Sequence, residues 1–155
     1  MGLHISHGAW VGSYGAFMFW RKKIAQVAGL PPLELMEGFY KPIDRNRRIY
    51  DFDTPTLWTS STPDHLLLEL DRKLPIKWES LKPSPLLLLL NHSDCDREIS
   101  WKKCNKIADC LEPLIGSLPQ EEGEYGYSWN WIEKTRKMVD GLRLAHKNRE
   151  NLVFS

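Results

Sequence analysis

The sequence predicts a single α+β domain, residues 1–155, in which a small sheet contains the N- and C-terminal strands and four or five helices pack against it. The chain has 155 residues, of which 42% are hydrophobic and 26% charged, as in an ordinary globular domain. Apolar and polar residues alternate near both ends of the chain. The segments between repeat apolar residues at helical spacing, which favours helices packed on a small sheet.

The N-terminal region predicts a strand, a loop and a helix. Leu3–Ser6 alternates apolar and polar residues, and the glycine-containing segment Gly8–Gly12 then reads as a loop that carries Trp10. Ser13 is the predicted N-cap of a helix that ends at Gly29. The predicted apolar face of this helix consists of Phe17, Trp20, Ile24 and Val27.

The middle of the chain is less regular. Phe39–Tyr40 and Ile49–Phe52 are predicted as short strands, and Asp64–Leu70 as a short helix. Pro85–Asn91 predicts another helix, and its five leucines are apolar all round, which places it in the centre of the core.

The C-terminal third predicts two helices and a closing strand. Ser100 is the predicted cap of a helix over Trp101–Ile115, which Pro113 kinks or ends. Ser128 is the predicted cap of the last helix, and Leu152–Phe154 is a strand that can pair with the N-terminal one. The face of the last helix contains Ile132, Thr135, Val139, Leu142 and His146, with an ion pair between Glu133 and Lys137.

Charge and cysteine usage exclude several classes of protein. Lys plus Arg number 21 and Asp plus Glu number 20, so the net charge of +1 argues against a duplex nucleic-acid binder with a broad basic face. The three cysteines form no Cys-x-x-Cys pair, which favours a reducing cytosol over a disulfide framework. Histidines and glycines interrupt the uncharged N-terminal segment, so no membrane span is expected and the predicted location is cytoplasmic.

The segment from His92 to Ser100 has the pattern of an EF-hand calcium loop. Three carboxylates alternate at Asp94, Asp96 and Glu98, and a β-branched residue and a helix cap follow them. These three residues are the candidate metal ligands. Because carboxylates in a loop can converge on one point, a divalent cation is the cofactor that this corner would take. The other interpretation is that they satisfy the loop's own N–H groups.

Two positions of this corner depart from the calcium pattern. With Ile99 as the eighth loop residue, the sixth is Arg97, where the sharp turn needs glycine. The twelfth is Lys103, where calcium is normally held by a bidentate glutamate. The sequence therefore predicts an EF-hand-shaped corner with weak calcium affinity at best, and no resident cofactor.

Several motifs carry a resemblance that covers most of the chain. They are the N-terminal segment MGLHISH, the central segment NHSDCDREI and a closing Asp140-Gly-Leu142 that follows Lys134-Thr. Together they resemble a group of small proteins encoded by phages and bacteria, in which the central motif usually reads HSDCDGEI. The resemblance implies a setting, the cytoplasm of a phage-infected cell, and no activity.

The residues predicted to bind a ligand come from two segments. His7, Trp10 and Tyr14 follow the first strand and precede a helix N-terminus, an arrangement whose free N–H groups can receive an anion. The only compact arginine cluster supplies candidate phosphate partners, because arginine forks grip phosphate bidentately. It consists of Arg45, Arg47 and Arg48.

Three functions fit these residues. The favoured one is a non-catalytic binder of a small phosphorylated or nucleotide ligand, which in a phage could sequester a host immune signal, and which would be helped by homo-oligomerisation. The second is a metal-assisted hydrolase of a nucleotide or phosphate ester. It would be built on His4, His7, His92, Asp94 and Asp96. The third is an interaction protein that blocks a host factor through its tryptophan-rich surface.

Overall fold

The computed structural model describes residues 2–40, 74–93, 97–120, 122–124 and 127–155. The described residues divide into two compact units, of which the larger joins residues 1–28 to residues 84–155 and the smaller spans residues 29–83. The helices of the larger unit are α1 (Tyr14–Val27), α2 (Leu86–Leu90), α3 (Trp101–Leu111) and α4 (Trp131–Asn148). Its strands are β1 (Leu3–Ile5), β2 (Trp10–Gly12), β3 (Glu98–Ile99), β4 (Glu122–Glu124), β5 (Tyr127–Trp129) and β6 (Leu152–Val153).

The predicted first strand is β1, but the segment after it is a hairpin and not an open loop. β1 pairs antiparallel with β2, with Ile5 opposite Trp10. His7 and Gly8 lie between the strands with φ values of 60° and 70°, and the N–H of Ala9 donates to the carbonyl of Ser6 at 3.2 Å. Positive φ at both central residues is the mark of a tight type I′ hairpin turn. The prediction of a loop over Gly8–Gly12 is therefore wrong.

The C-terminal strand joins both ends of the chain, as predicted. Ile5 forms an antiparallel bridge with Phe154, and the N–H of Ser6 donates to the carbonyl of Val153 at 2.9 Å. On its other side β6 pairs with β3, with Ile99 opposite Leu152. The N-terminal hairpin is thereby fastened to the segment that leads into α3.

α1 begins where the sequence predicts. The hydroxyl oxygen of Ser13 accepts the N–H of Ala16 at 3.1 Å, which confirms the N-cap. The helix is followed by Gly29 at a φ of 73°, a conformation that glycine adopts at little cost. Phe17, Trp20 and Ile24 are buried as predicted.

The caps of α3 and α4 differ from the predicted ones. Asn130 and not Ser128 caps α4, since its side-chain oxygen accepts the N–H of Glu133 at 3.0 Å. The hydroxyl of Ser100 makes no capping bond, and the side chain of Asn151 accepts the N–H of Trp101 instead, at 3.1 Å. α3 ends at Leu111 and continues as a 3-10 helix over Glu112–Ser117, so the predicted break at Pro113 is confirmed.

α3 and α4 pack together over the core of the larger unit. Cys104, Ile107, Ala108 and Leu111 of α3 face Met138, Val139, Leu142 and Ala145 of α4, and all of these side chains are buried. Arg143 of α4 links the two helices at the edge of this contact. It donates hydrogen bonds to Asn105 at 2.6 Å and to Glu112 at 2.7 Å. α2 contributes Leu86, Leu89 and Leu90 to the core, whereas Leu88 is exposed, so the leucine run is not buried all round.

The smaller unit is described over residues 29–40 and 74–83. Met36 and Ile76 form a parallel bridge, and Leu35 packs against Tyr40, Leu74 and Ile76. Phe39 lies in a turn, so the predicted strand at Phe39–Tyr40 is wrong. The strand predicted at 49–52 and the helix predicted at 64–70 lie outside the described residues.

The α+β class is confirmed, with small antiparallel pairs of strands and four α-helices in the described part of the chain. Within that part, no helix combines the length and the apolar composition that crossing a membrane would take.

Candidate functional site: a pocket between the hairpin and helix α4

The candidate site is an open pocket of about 350 Å³ between β2 and the first turns of α4. It lies within the larger unit. One wall is the end of the hairpin turn and the start of β2, and the other is the N-terminal part of α4. The lining residues are Gly8, Ala9, Trp10, Val11, Asn130, Glu133, Lys134 and Lys137.

Gly141 allows the hairpin to lie directly on α4. A Cβ atom at this position would be 2.5 Å from the Cβ and 2.7 Å from the Cα of Ala9. Any side chain larger than hydrogen would therefore push the hairpin away from the helix. This close approach brings the Trp10 ring over the first turns of α4 and so creates the pocket wall.

Trp10 is a core residue and not an exposed platform. Its side chain is 2% exposed, and its ring packs edge-on against Phe17 with centroids 5.1 Å apart and against Trp20 at 5.6 Å. The sequence predicts a loop position for Trp10, but the residue begins β2, and the β-hairpin turns its ring inwards. The buried Nε1 of Trp10 has no hydrogen-bond partner in the described part of the chain.

Lys134 supplies the distinctive charge of the pocket. Its Nζ lies 4.5 Å from the centroid of the Trp10 ring, a cation–π contact, and makes no hydrogen bond or ion pair with any described residue. Burial lowers the pKa of Lys134, repulsion from Lys137 lowers it further, and Glu133 partly opposes both effects. The ammonium is thus held partly desolvated and without an ion-pair partner among the described residues, an arrangement that attracts an anionic ligand.

The other charges of the pocket lie nearer solvent. Lys137 pairs with Glu133 at 3.1 Å, which confirms the predicted pair on α4, and both side chains are exposed. The side chain of Asn130 accepts one N–H of the first turn. The pocket therefore combines the positive end of a long helix, one exposed ion pair and one ammonium that has no ion-pair partner in the part of the chain that the structure describes.

His7, a predicted ligand residue, makes its contacts outside the pocket. Its Nδ1 is hydrogen-bonded to the hydroxyl of Ser6 at 2.9 Å and its Nε2 to the carboxylate of Glu150 at 2.7 Å. The hydroxyl of Ser6 also accepts the N–H of Val153. His7 thus ties the hairpin turn to the segment after α4. It does not line the pocket, although the next residue, Gly8, does.

The remaining predicted ligand residues do not meet at the pocket in the described part of the chain. Tyr14 is the first residue of α1, half-buried, and lies outside the pocket lining. Arg45, Arg47 and Arg48 lie outside the described residues. Of the predicted residues that the structure describes, only Trp10 lines the pocket. The two lysines beside it were missed, although their spacing of three places them on one face of a predicted helix.

The predicted metal corner is described only in part. Asp94 and Asp96 lie outside the described residues, and Glu98 is exposed in β3. The ring of His92 stacks on Phe154 with centroids 4.2 Å apart and has the carbonyls of Ser93 and Glu98 at 2.6 and 3.3 Å from its nitrogens. The described residues contain no group of three His, Cys, Asp or Glu side chains placed to hold a metal.

A buried arginine lies beside this corner. Arg21 on α1 is 1% exposed and donates to the carbonyl of His92 at 2.7 Å and, more distantly, to that of Leu90 at 3.4 Å. Its guanidinium carbon lies 4.6 Å from the centroid of the Phe17 ring. Arg21 therefore fixes the chain just after α2, where the carboxylate-rich segment begins.

Compared with protein-family models, curated proteins and solved structures, the chain matches none. Its function is therefore inferred from geometry and chemistry.

Proposed function

We propose that this protein binds a small phosphorylated ligand in the pocket between the hairpin and α4 and does not transform it. The observation that carries the proposal is the Lys134 ammonium, which is partly desolvated and lacks a counter-ion among the described residues. A bound phosphate would supply that counter-ion and form a charge-assisted hydrogen bond. The N-terminus of α4 adds a favourable field for the same anion.

The position of Lys134 decides how the ligand binds. Because the ammonium lies over the Trp10 ring and the ring itself is buried, this face of the indole is not free for a base to stack on. The phosphate is instead recognised by Lys134 and the helix N-terminus, with Lys137 at the rim. The rest of the ligand would lie against Val11, which is 71% exposed.

The size of the pocket suits a ligand no larger than a mononucleotide. Its volume of about 350 Å³ is at the small end of the range for ligand sites. In the phage setting that the resemblance implies, such a ligand could be a nucleotide signal of host immunity, which the protein would remove by binding. A homo-oligomer, which the aromatic content favours, stays a prediction.

The experiment that separates a binder from an enzyme is a recovery assay. The panel contains adenosine monophosphate and cyclic mononucleotides, with ADP-ribose as a probe larger than the pocket suits. It is incubated with excess protein, the protein is removed by ultrafiltration, and the retained material is released by heat. A binder depletes one nucleotide and returns it chemically unchanged. Recovery of a cleaved product would instead support the metal-assisted hydrolase.

The matched variants are Lys134→Gln, which removes the pocket ammonium, and Lys147→Gln, which removes an exposed charge about 20 Å further along α4. Depletion should be lost in the first variant and kept in the second. If no nucleotide is depleted while a host protein co-purifies, the proposed function is wrong and the interaction-protein alternative replaces it.

A further inference from the structure

We propose that a second surface, formed by Trp101, Lys102, Lys103 and Arg149, binds single-stranded nucleic acid. Hereafter it is called the Trp101 face. It lies at the start of α3 and the end of α4. Arg149 is 15 residues after Lys134, or about 22 Å along α4, so the inference is independent of the pocket.

An aromatic ring surrounded by cations defines the face. The half-buried Trp101 ring has the Nζ of Lys102 at 5.8 Å and the guanidinium carbon of Arg149 at 6.0 Å from its centroid. The ring of His146 lies 5.7 Å away and its Nδ1 is 3.2 Å from the carbonyl of Trp101, which holds the two residues together. Neither Lys102 nor Arg149 has an ion-pair partner in the described segments.

The charges at the start of α3 are the reverse of what helix stability favours. The first turn contains two exposed lysines, Lys102 and Lys103, and no acidic residue, and Lys106 follows on the exposed side. Lysines near a helix N-terminus repel the positive end of the helix dipole. An anion at this face would relieve that repulsion.

The backbone of Arg149 gives an independent indication. Its φ of 56° places it in the left-handed region, where glycine is strongly preferred after a helix. An arginine there is unfavourable for folding relative to glycine. Non-glycine residues in this conformation cluster at functional sites and also occur in tight turns, as at His7. Here it places a guanidinium over the Trp101 ring.

The ligand class follows from the shape and the charge of the face. A single ring beside several cations fits a strand whose bases are free to stack, with its phosphates on the lysines and the arginine. A duplex keeps its base faces stacked, and the net charge of +1 provides no broad basic surface for it. Glu98 and Glu150 are exposed acids in neighbouring segments, and the carboxylate of Glu150 is bonded to His7.

The test is fluorescence anisotropy with labelled oligothymidylate and oligouridylate of about ten nucleotides. Full-length protein is titrated between about 50 and 200 mM salt. We expect binding to both oligonucleotides, with a slope of log affinity against log salt near −2, since each of about three phosphate contacts contributes about −0.7. Comparison of the two oligonucleotides tells whether DNA or RNA is preferred.

Arg149→Gly is the decisive variant because glycine adopts the observed left-handed backbone without strain, so the fold should be retained. It should weaken binding and reduce the salt slope by about 0.7. Trp101→Ala should weaken binding about tenfold through loss of one stack. Arg136→Gln removes a matching charge from an exposed position in the first half of α4 and should leave affinity unchanged.

Three results would overturn the inference: no oligonucleotide binding at the lower salt, equal binding by the wild type and Arg149→Gly, or equal binding of a duplex of the same length. Binding to vesicles that contain phosphatidylserine, without binding to oligonucleotides, would assign the face to a membrane surface instead. Failure of this test would not bear on the proposed ligand pocket, because Lys134 is not part of the Trp101 face.

Discussion

The Lys134 ammonium lies 4.5 Å from the centroid of the Trp10 ring, so the charge expected to hold a ligand rests on a residue of the hydrophobic core. The contact exists because the N-terminal hairpin lies across α4. Stability of the fold and charge state of the pocket are therefore linked.

This link predicts a pH effect on stability. Burial lowers the pKa of Lys134, so between that pKa and the ordinary lysine value the unfolded chain binds more protons than the folded one. The contribution of Lys134 to the free energy of unfolding therefore rises with pH across that window. Urea unfolding at alkaline pH should show that the free energy of unfolding of the wild type rises relative to that of Lys134→Gln as pH increases.

Comparison with Lys134→Gln is needed because Cys104 titrates with the opposite sign. Burial raises the pKa of this thiol to about 11, against a smaller lowering by a hydrogen bond from the backbone of Leu152. Its stabilising contribution is complete below the unfolded thiol pKa and is lost as pH rises towards about 11. Both proteins contain Cys104, so its effect cancels. A difference between them that does not change with pH would contradict the burial of Lys134.

Gly141→Ala should destabilise the protein. The added Cβ would lie 2.5 Å from the Cβ of Ala9, and the overpacking should cost about 1–3 kcal/mol, more than the gain of up to about 1 kcal/mol in helix propensity. Thermal or urea unfolding measures the change. Gly116→Ala is the control, because its Cβ would meet no atom within 4 Å. Equal stability of the two variants would mean that the hairpin does not contact α4 this closely.

Thr135→Val should destabilise the core through a lost hydrogen bond. The Nε1 of Trp20 donates to the buried hydroxyl of Thr135 at 2.9 Å, and that hydroxyl donates to the carbonyl of Trp131 at 2.7 Å. Valine keeps the volume but leaves the indole N–H unsatisfied, at a cost of about 1–3 kcal/mol. Thr135→Ser keeps the bond and loses one methyl group, about 0.8 kcal/mol. A larger loss for serine than for valine would show that the bond contributes little.

Calcium should bind no more tightly than about the millimolar class. Arg97 occupies the turn position of the EF-hand pattern, and the exposed Lys103 in the first turn of α3 occupies that of the bidentate acid. A calorimetric titration that gives a micromolar dissociation constant would contradict this. Arg97→Gly with Lys103→Glu should strengthen binding if the corner has the EF-hand shape.

Local patterns predicted much of the fold, and the errors are of two kinds: local signals that were misread and contacts between distant segments. The Ser13 cap, the end of α1 at Gly29 and the Glu133–Lys137 pair depend on neighbouring residues, and all three are present. Trp10 was assigned to a loop because His7-Gly8 is an unusual dipeptide for a tight hairpin turn, where Asn-Gly and Asp-Gly are preferred.

The pocket itself was beyond sequence reasoning. In the sequence, Lys134 is one polar residue of a helical pattern, with nothing to distinguish it from the others. It lies over an indole ring because the hairpin packs on Gly141. The cap of α3 was equally hidden from the sequence. The adjacent Ser100 makes no capping bond, and the N–H of Trp101 is bonded instead by Asn151, 50 residues further along the chain. Such long-range partners leave no periodic pattern.

The most direct test of the proposed binding site is a calorimetric titration of inorganic phosphate and adenosine monophosphate into the wild type, Lys134→Gln and Lys147→Gln at neutral pH. The wild type and Lys147→Gln should bind at least one of these probes with equal affinity. Lys134→Gln should bind it at least about tenfold more weakly, the loss of one charge-assisted hydrogen bond. Equal affinity of Lys134→Gln and the wild type, or no binding of either probe to the wild type, would contradict the assignment of the pocket to a phosphorylated ligand.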